Sequence, residues 1–140
     1  MQYSKPGPYY QLRLERGEEI IATILEFVKK HRIKSAALIG LGAAENLVLG
    51  CYNLKQKQYR RRRFRKEHEV AALVGNIAWD QNQPICHIHA VISNKRLVTY
   101  SGHLFEAEVA ATCEISILPG QKPIGRRLDP RTGLKLLELG

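Results

Sequence analysis

The first organised signal along the chain is an alternation of apolar and polar positions. Between Tyr9 and Glu15, Tyr10, Leu12 and Leu14 alternate with Gln11 and Arg13, as on a strand with one buried face. Gly17 breaks that pattern. From Glu18 to His31 the apolar residues Ile20, Ile21, Ile24, Leu25, Phe27 and Val28 recur at helical intervals. Glu18 and Glu19 stand at the positive end of the predicted helix, and Lys29, Lys30 and His31 at its negative end. Short apolar runs predict buried strands from Ile33 to Leu41, ended by Gly40 and Gly42, and from Leu47 to Leu54. Tyr59 to Lys66 reads as a charged, exposed strand.

An apolar run, Val70 to Trp79, is separated by Asp80-Gln81-Asn82-Gln83-Pro84 from a second, Ile85 to Ile92, and the two predict an antiparallel hairpin. Ser93 to Arg96 turns again and Leu97 to Tyr100 is placed as pairing back. Val109 to Leu118, rich in β-branched residues, is the last long strand. After Pro119, Gly120 to Gly133 reads as a basic surface arm and Leu134 to Leu139 as a docking strand. Strands far outnumber helices, so the expected class is α+β: a mostly antiparallel, twisted sheet packed with one main helix. At 140 residues the chain is read as one domain, with its core at about 9–118 and a basic C-terminal arm over 119–140.

Composition narrows the partners. No apolar stretch approaches the ~20 residues that span a bilayer, and the polar N-terminus lacks an export signal, so the expected location is the cytoplasm, without a membrane partner. The cysteines, Cys51, Cys86 and Cys113, are odd in number and lie in apolar runs, which predicts reduced core residues and no disulfide framework. A formal charge of +9, from 22 basic and 13 acidic residues, favours anionic partners.

Much of that charge is concentrated. Arg60, Arg61, Arg62, Arg63, Arg65 and Lys66 surround Phe64, and on a strand they fall on both faces, so the segment is an edge strand or a projecting hairpin. It reads either as a strip of nonspecific phosphate contacts to DNA, with Tyr59 and Phe64 as stacking groups, or as a charged edge that blocks sheet aggregation. A second basic cluster, Lys122, Arg126, Arg127 and Arg131, adds to the first reading. No basic recognition helix and no Arg-Gly-Arg-Pro hook occurs, so base-specific readout is not expected.

The chemically specific feature is a histidine trio. His87 and His89, two apart on a strand, project from one face while Cys86 and Ile88 project from the other. His103 follows a turn, and Gly102 gives the backbone freedom to swing a third imidazole towards the pair. Three nitrogen ligands and an open fourth position suit zinc or another divalent transition metal. The alternative is a polar pocket of histidines bonded to backbone and water. Glu69 would serve as general base, or orient a ligand, if its strand borders the pair; otherwise it is a surface carboxylate. His31 and His68 are taken as capping or surface histidines. Gly40 and Gly42 lack the rest of a phosphate loop and are assigned to close strand packing, and Ser101 lacks a nucleophile elbow.

Taken together, Leu38-Ile39-Gly40-Leu41-Gly42-Ala43, Glu69 to Ile77, His87-Ile88-His89-Ala90-Val91, Gly102-His103-Leu104 and Thr112-Cys113-Glu114-Ile115 resemble the plants-and-prokaryotes conserved (PPC) domain family, in order and spacing from about Arg13 to Leu118. The resemblance implies a homotrimer and a DNA-binding label inherited from plant relatives that carry a separate AT-hook, which is missing here. The partner-contacting Gly-Arg-Phe-Glu-Ile-Leu segment of those relatives corresponds to Lys66-Glu67-His68-Glu69-Val70-Ala71 and is largely replaced. The implied fold is similar to that of acetolactate decarboxylase, whose zinc ligands map onto His87, His89 and His103. The leading expectation is therefore a trimeric DNA-associated or regulatory module with a three-histidine metal site. The competing one is a zinc-dependent hydrolase or lyase acting on a small anionic substrate.

Overall fold

A computed structural model describes residues 1–139 and places them in one nine-stranded sheet with a single α-helix. The strands are β1 (Gln2–Ser4), β2 (Tyr10–Glu15), β3 (Ala36–Asn53), β4 (Gln58–Phe64), β5 (His68–Asp80), β6 (Gln83–Ser93), β7 (Thr99–Pro119), β8 (Gly125–Asp129) and β9 (Leu134–Glu138), and helix α1 spans Ile20–Lys30. All ladders are antiparallel except a single parallel bridge, Trp79 to Gly125, between β5 and β8. β3 pairs with β5 and β7, and β6 also pairs with β5 and β7, so these four strands form a closed cycle. No helix is long and apolar enough to cross a membrane among the described residues.

The helix forms where the spacing predicts it. Ile20, Ile24, Phe27 and Val28 are its buried stripe, and they join Leu38, Leu73, Ile88, Leu104 and Ile115 of the strands in one apolar cluster. Glu19 caps the N-terminus, its carboxylate accepting from the Ala22 amide at 2.5 Å and from the Ala107 amide of β7 at 3.1 Å. His31 is the C-cap residue, its ring 4.2 Å from that of Phe27.

Several predicted boundaries do not exist. The runs at 33–41 and 47–54 are one strand, β3, which bends through register shifts at Gly40/Gly42 and again near Asn46, a residue at φ 53°. Gly42 is required by proximity, because a Cβ there would overlap the Thr112 carbonyl oxygen on β7. Likewise Leu97–Tyr100 and Val109–Leu118 are not separate: β7 runs unbroken from Thr99 to Pro119. The expected strand at 134–139 forms as β9, but the basic arm before it is corrected: Gly125–Asp129 is strand β8, and the two make an antiparallel hairpin. Cys51 is exposed and does not belong to the core, whereas Cys113 is fully buried, and all three cysteines are free. His68 is also corrected. It is buried, donates from Nδ1 to the Lys66 carbonyl at 2.7 Å and packs on Phe64.

Candidate metal centre

Strand parity sets the first two ligands. Ile88, Ala90 and Ile92 of β6 are fully buried, so His87 and His89 project from the other face, away from the core. The third arrives by register. His103 does not follow a turn; it lies within β7, directly opposite His89 in the β6–β7 ladder. Gly102 serves a different purpose from the one expected, since a Cβ on it would come within 2.8 Å of the Gly50 carbonyl oxygen on β3. The three imidazole rings are 5.0, 5.3 and 5.6 Å apart, and one ring nitrogen from each lies within 4.8 Å of the others.

The residues fit a metal ion. Ligand nitrogens around tetrahedral zinc are about 3.3 Å apart, given bonds of about 2.0–2.1 Å, so rotation by roughly an ångström closes the set. His103 Nδ1 is buried and has no hydrogen-bond partner, a position that an ion or its ligand water would satisfy. Burial, with the charges of its neighbours, holds His103 down at about 4 and lowers His87 in the same direction. Both rings are therefore neutral near pH 7 and offer lone pairs. Cys86 packs against the core from the same strand, and burial pushes its thiol up to about 12, so it supplies no thiolate.

A cavity of about 490 Å³ opens beside the trio. Its walls are Tyr52 of β3, Tyr59 of β4, Ile85 of β6, and Leu134, Lys135 and Leu136 of β9, with Arg126 of β8 reaching in. Tyr59 lies over His103 at 5.2 Å between ring centres. The hairpin is tied across the site from both ends: the Trp79 amide donates to the Ile124 carbonyl at 2.9 Å, and the Tyr52 hydroxyl to the Thr132 carbonyl at 2.7 Å.

Glu69 is not brought to this site. β5 does border β6, but Glu69 stands opposite Ser93 at the far end, whereas Val74 is opposite His89. Five residues along a strand separate Glu69 from Val74 by about 17 Å. The cavity lining contains no Asp or Glu among the described residues. Sequence reasoning missed Arg126 as a site residue, since its surroundings read as a basic arm. The available signal was Asp129-Pro130-Arg131-Thr132-Gly133, a turn sequence between two short alternating segments.

The arginine run forms edge strand β4, paired only with β3, and Arg60 to Arg63, Arg65 and Lys66 are all exposed. Several of its cations are engaged within the chain. Arg61 lies 3.8 Å over Phe105, Arg62 lies 4.9 and 4.8 Å over Phe64 and Tyr100, and Arg63 pairs with Glu106 at 2.5 Å. Phe64 is buried and Tyr59 faces the histidines, so neither is a free stacking group for nucleic acid.

Known proteins with this architecture cover nearly the whole chain. A candidate DNA-binding protein from Bacteroides thetaiotaomicron is 28% identical with a TM-score of 0.94, covering 98% of this chain and 96% of its own. A metal-containing protein from Archaeoglobus fulgidus is 33% identical with a TM-score of 0.89, covering 95% and 94%. A plant- and prokaryote-conserved protein from Pyrococcus horikoshii is 28% identical with a TM-score of 0.87, covering 99% and 95%. No curated protein matches the sequence. Residues 1–119, which carry the whole cycle of strands and all three histidines, match the model of the Plants and Prokaryotes Conserved (PCC) domain, and the chain belongs to that family.

Proposed function

We propose that the chain is a self-associating binding module whose ligand site is built on a divalent transition metal ion held by His87, His89 and His103. The observation that carries this reading is the convergence of three ring nitrogens within 4.8 Å at the wall of a cavity. The nitrogen-only donor set suits zinc and the other borderline transition-metal ions and disfavours calcium and magnesium, which take oxygen ligands. A bound ion of this kind supplies a Lewis-acidic position for a ligand oxygen. Binding is preferred to hydrolase or lyase chemistry because no Asp or Glu among the described residues lines the cavity to move a proton, and Glu69 stands at the far end of β5. The similarity to the metal-containing Archaeoglobus protein supports the same reading. Elemental analysis of protein purified without a histidine tag tests it. About one metal per chain is expected, and less than about a tenth would overturn the reading.

Self-association as a trimer is the part of the proposal that the outer face of the sheet supports. Ile39, Leu41, Val74 and Leu118 are exposed by 55, 55, 57 and 48%. Ile39 stands opposite Val74, and Leu118 opposite Ala37, so the apolar side chains lie on adjoining strands of one face. Sedimentation equilibrium should give three times the chain mass of 15.9 kDa, and Ile39→Glu with Val74→Glu should yield monomers. A monomeric wild-type protein would remove this part.

A second reading, nonspecific binding to DNA phosphates, rests on the exposed arginines of β4 and on the similarity to the Bacteroides protein. Duplex binding should weaken steeply with salt. Replacing Arg60 to Arg63 by alanine should flatten the logarithmic salt slope by about 0.9 for each phosphate that is no longer neutralised. An unchanged slope, or no binding at low salt, would reject it.

A further inference from the structure

Arg126 is a half-buried cation without an anionic partner among the described residues. Its Nη1 donates to the Lys135 carbonyl at 2.8 Å and its Nη2 to the Asn76 side-chain oxygen at 2.7 Å, both neutral acceptors. A guanidinium has five N–H groups, so these bonds leave others free, and its Nε is buried with no partner at all. No carboxylate forms an ion pair with it among the described residues. The neighbouring Arg127, which faces solvent, is paired with Glu138 at 3.4 Å. Asn76, which orients Arg126, stands opposite His87 in the β5–β6 ladder. The guanidinium is thus fixed one strand away from the histidines and lines the same cavity.

A half-buried, oriented cation whose Nε is shut away without a partner is poorly compensated until something anionic meets it. The planar fork suits an oxyanion that accepts two parallel hydrogen bonds. Beyond the histidines, the lining includes one further cation, Lys135, which is already paired with Asp80, while Tyr52, Tyr59, Ile85, Leu134 and Leu136 offer surface to an apolar body. A volume of about 490 Å³ is the size of a small-molecule site.

We infer that Arg126 is the anion-recognition residue of the histidine cavity, and that the cavity selects a small organic acid: a carboxylate head on Arg126 and an apolar body between the tyrosines and the β9 leucines. The inference rests on reading the cavity as the ligand site. It adds the ligand class and the residue that reads it.

Calorimetric titration with acetate, benzoate and inorganic phosphate tests this, on zinc-loaded protein and on protein kept in chelator. Benzoate should bind more tightly than acetate or phosphate. Arg126→Met should weaken benzoate at least tenfold in both states, with Arg126→Lys intermediate because the charge remains and the fork is lost. Leu136 is exposed by 43%, so Leu136→Ser should fold normally. It should weaken benzoate several-fold and leave acetate unchanged. Thermal melts of each variant confirm folding. Phosphate binding as tightly as benzoate, or Arg126→Met binding benzoate within twofold of wild type, overturns the inference. Zinc content is read separately. Arg126-dependent benzoate binding by a protein that takes up no zinc would uphold the anion site and reject the metal reading, and zinc uptake without benzoate binding would do the reverse.

Discussion

Replacing His89 by alanine should lower zinc affinity by roughly 100-fold or more, because one of three protein ligands is lost and two nitrogens cannot hold the ion against water. His89 is the best ligand to remove because it is exposed, so its loss opens no cavity in the core. The zinc-free variant should unfold in urea within about 0.5 kcal/mol of wild type. Zinc at a hundred times its wild-type dissociation constant should stabilise wild type by about 2.7 kcal/mol, and at the same concentration the variant by about 0.4 kcal/mol or less. His68→Ala supplies the contrast. His68 is buried beneath Phe64 and bonded to Lys66, outside the trio, so its removal should destabilise the fold and leave zinc affinity alone. Equal zinc affinity for His89→Ala and wild type would remove the metal centre from this chain.

The part of the site legible in the sequence is the part set by local parity. A strand over 85–92 must send His87 and His89 to one side, whatever surrounds it. The third ligand depends on pairing, and its signal was present but cut. Ser93 pairs with Thr99 across the turn, so four residues back and four residues on bring His89 opposite His103. Gly102 concealed this, since glycine within an apolar run reads as the end of a strand. Here it marks the close approach of β3 instead. Gly40, Gly42 and Asn46 hid the continuity of β3 in the same way, because backbone packing between distant strands leaves no periodic trace. Arg126 was illegible for another reason: a basic, glycine-containing tail looks the same whether it is solvated or folded over a cavity. The tertiary bonds to Asn76 and Trp79 decide between those states.

Gly75 joins the fold to the site, and Gly75→Ala should cost about 3 kcal/mol, the upper range for overpacking. On an ordinary strand position the same change would favour folding by reducing the freedom of the unfolded chain. The opposite sign is expected here because of what a Cβ would meet. It would overlap the carbonyl oxygen of His87 and lie 3.0 Å from both Cα and Cγ1 of Ile88, which is fully buried. A backbone carbonyl cannot rotate aside as a side-chain end can, so β5 and β6 must separate where Gly75 faces Ile88. Ile88 lies between His87 and His89, so the displacement would also tilt the two imidazoles relative to His103. Zinc affinity should therefore fall along with urea stability, although Gly75 contributes no ligand. Gly7→Ala, where nothing lies within 4 Å, should change neither by a measurable amount. If Gly75→Ala matched wild type in both measurements, the register that sets His87 opposite Asn76 would be wrong, and with it the placement of the site.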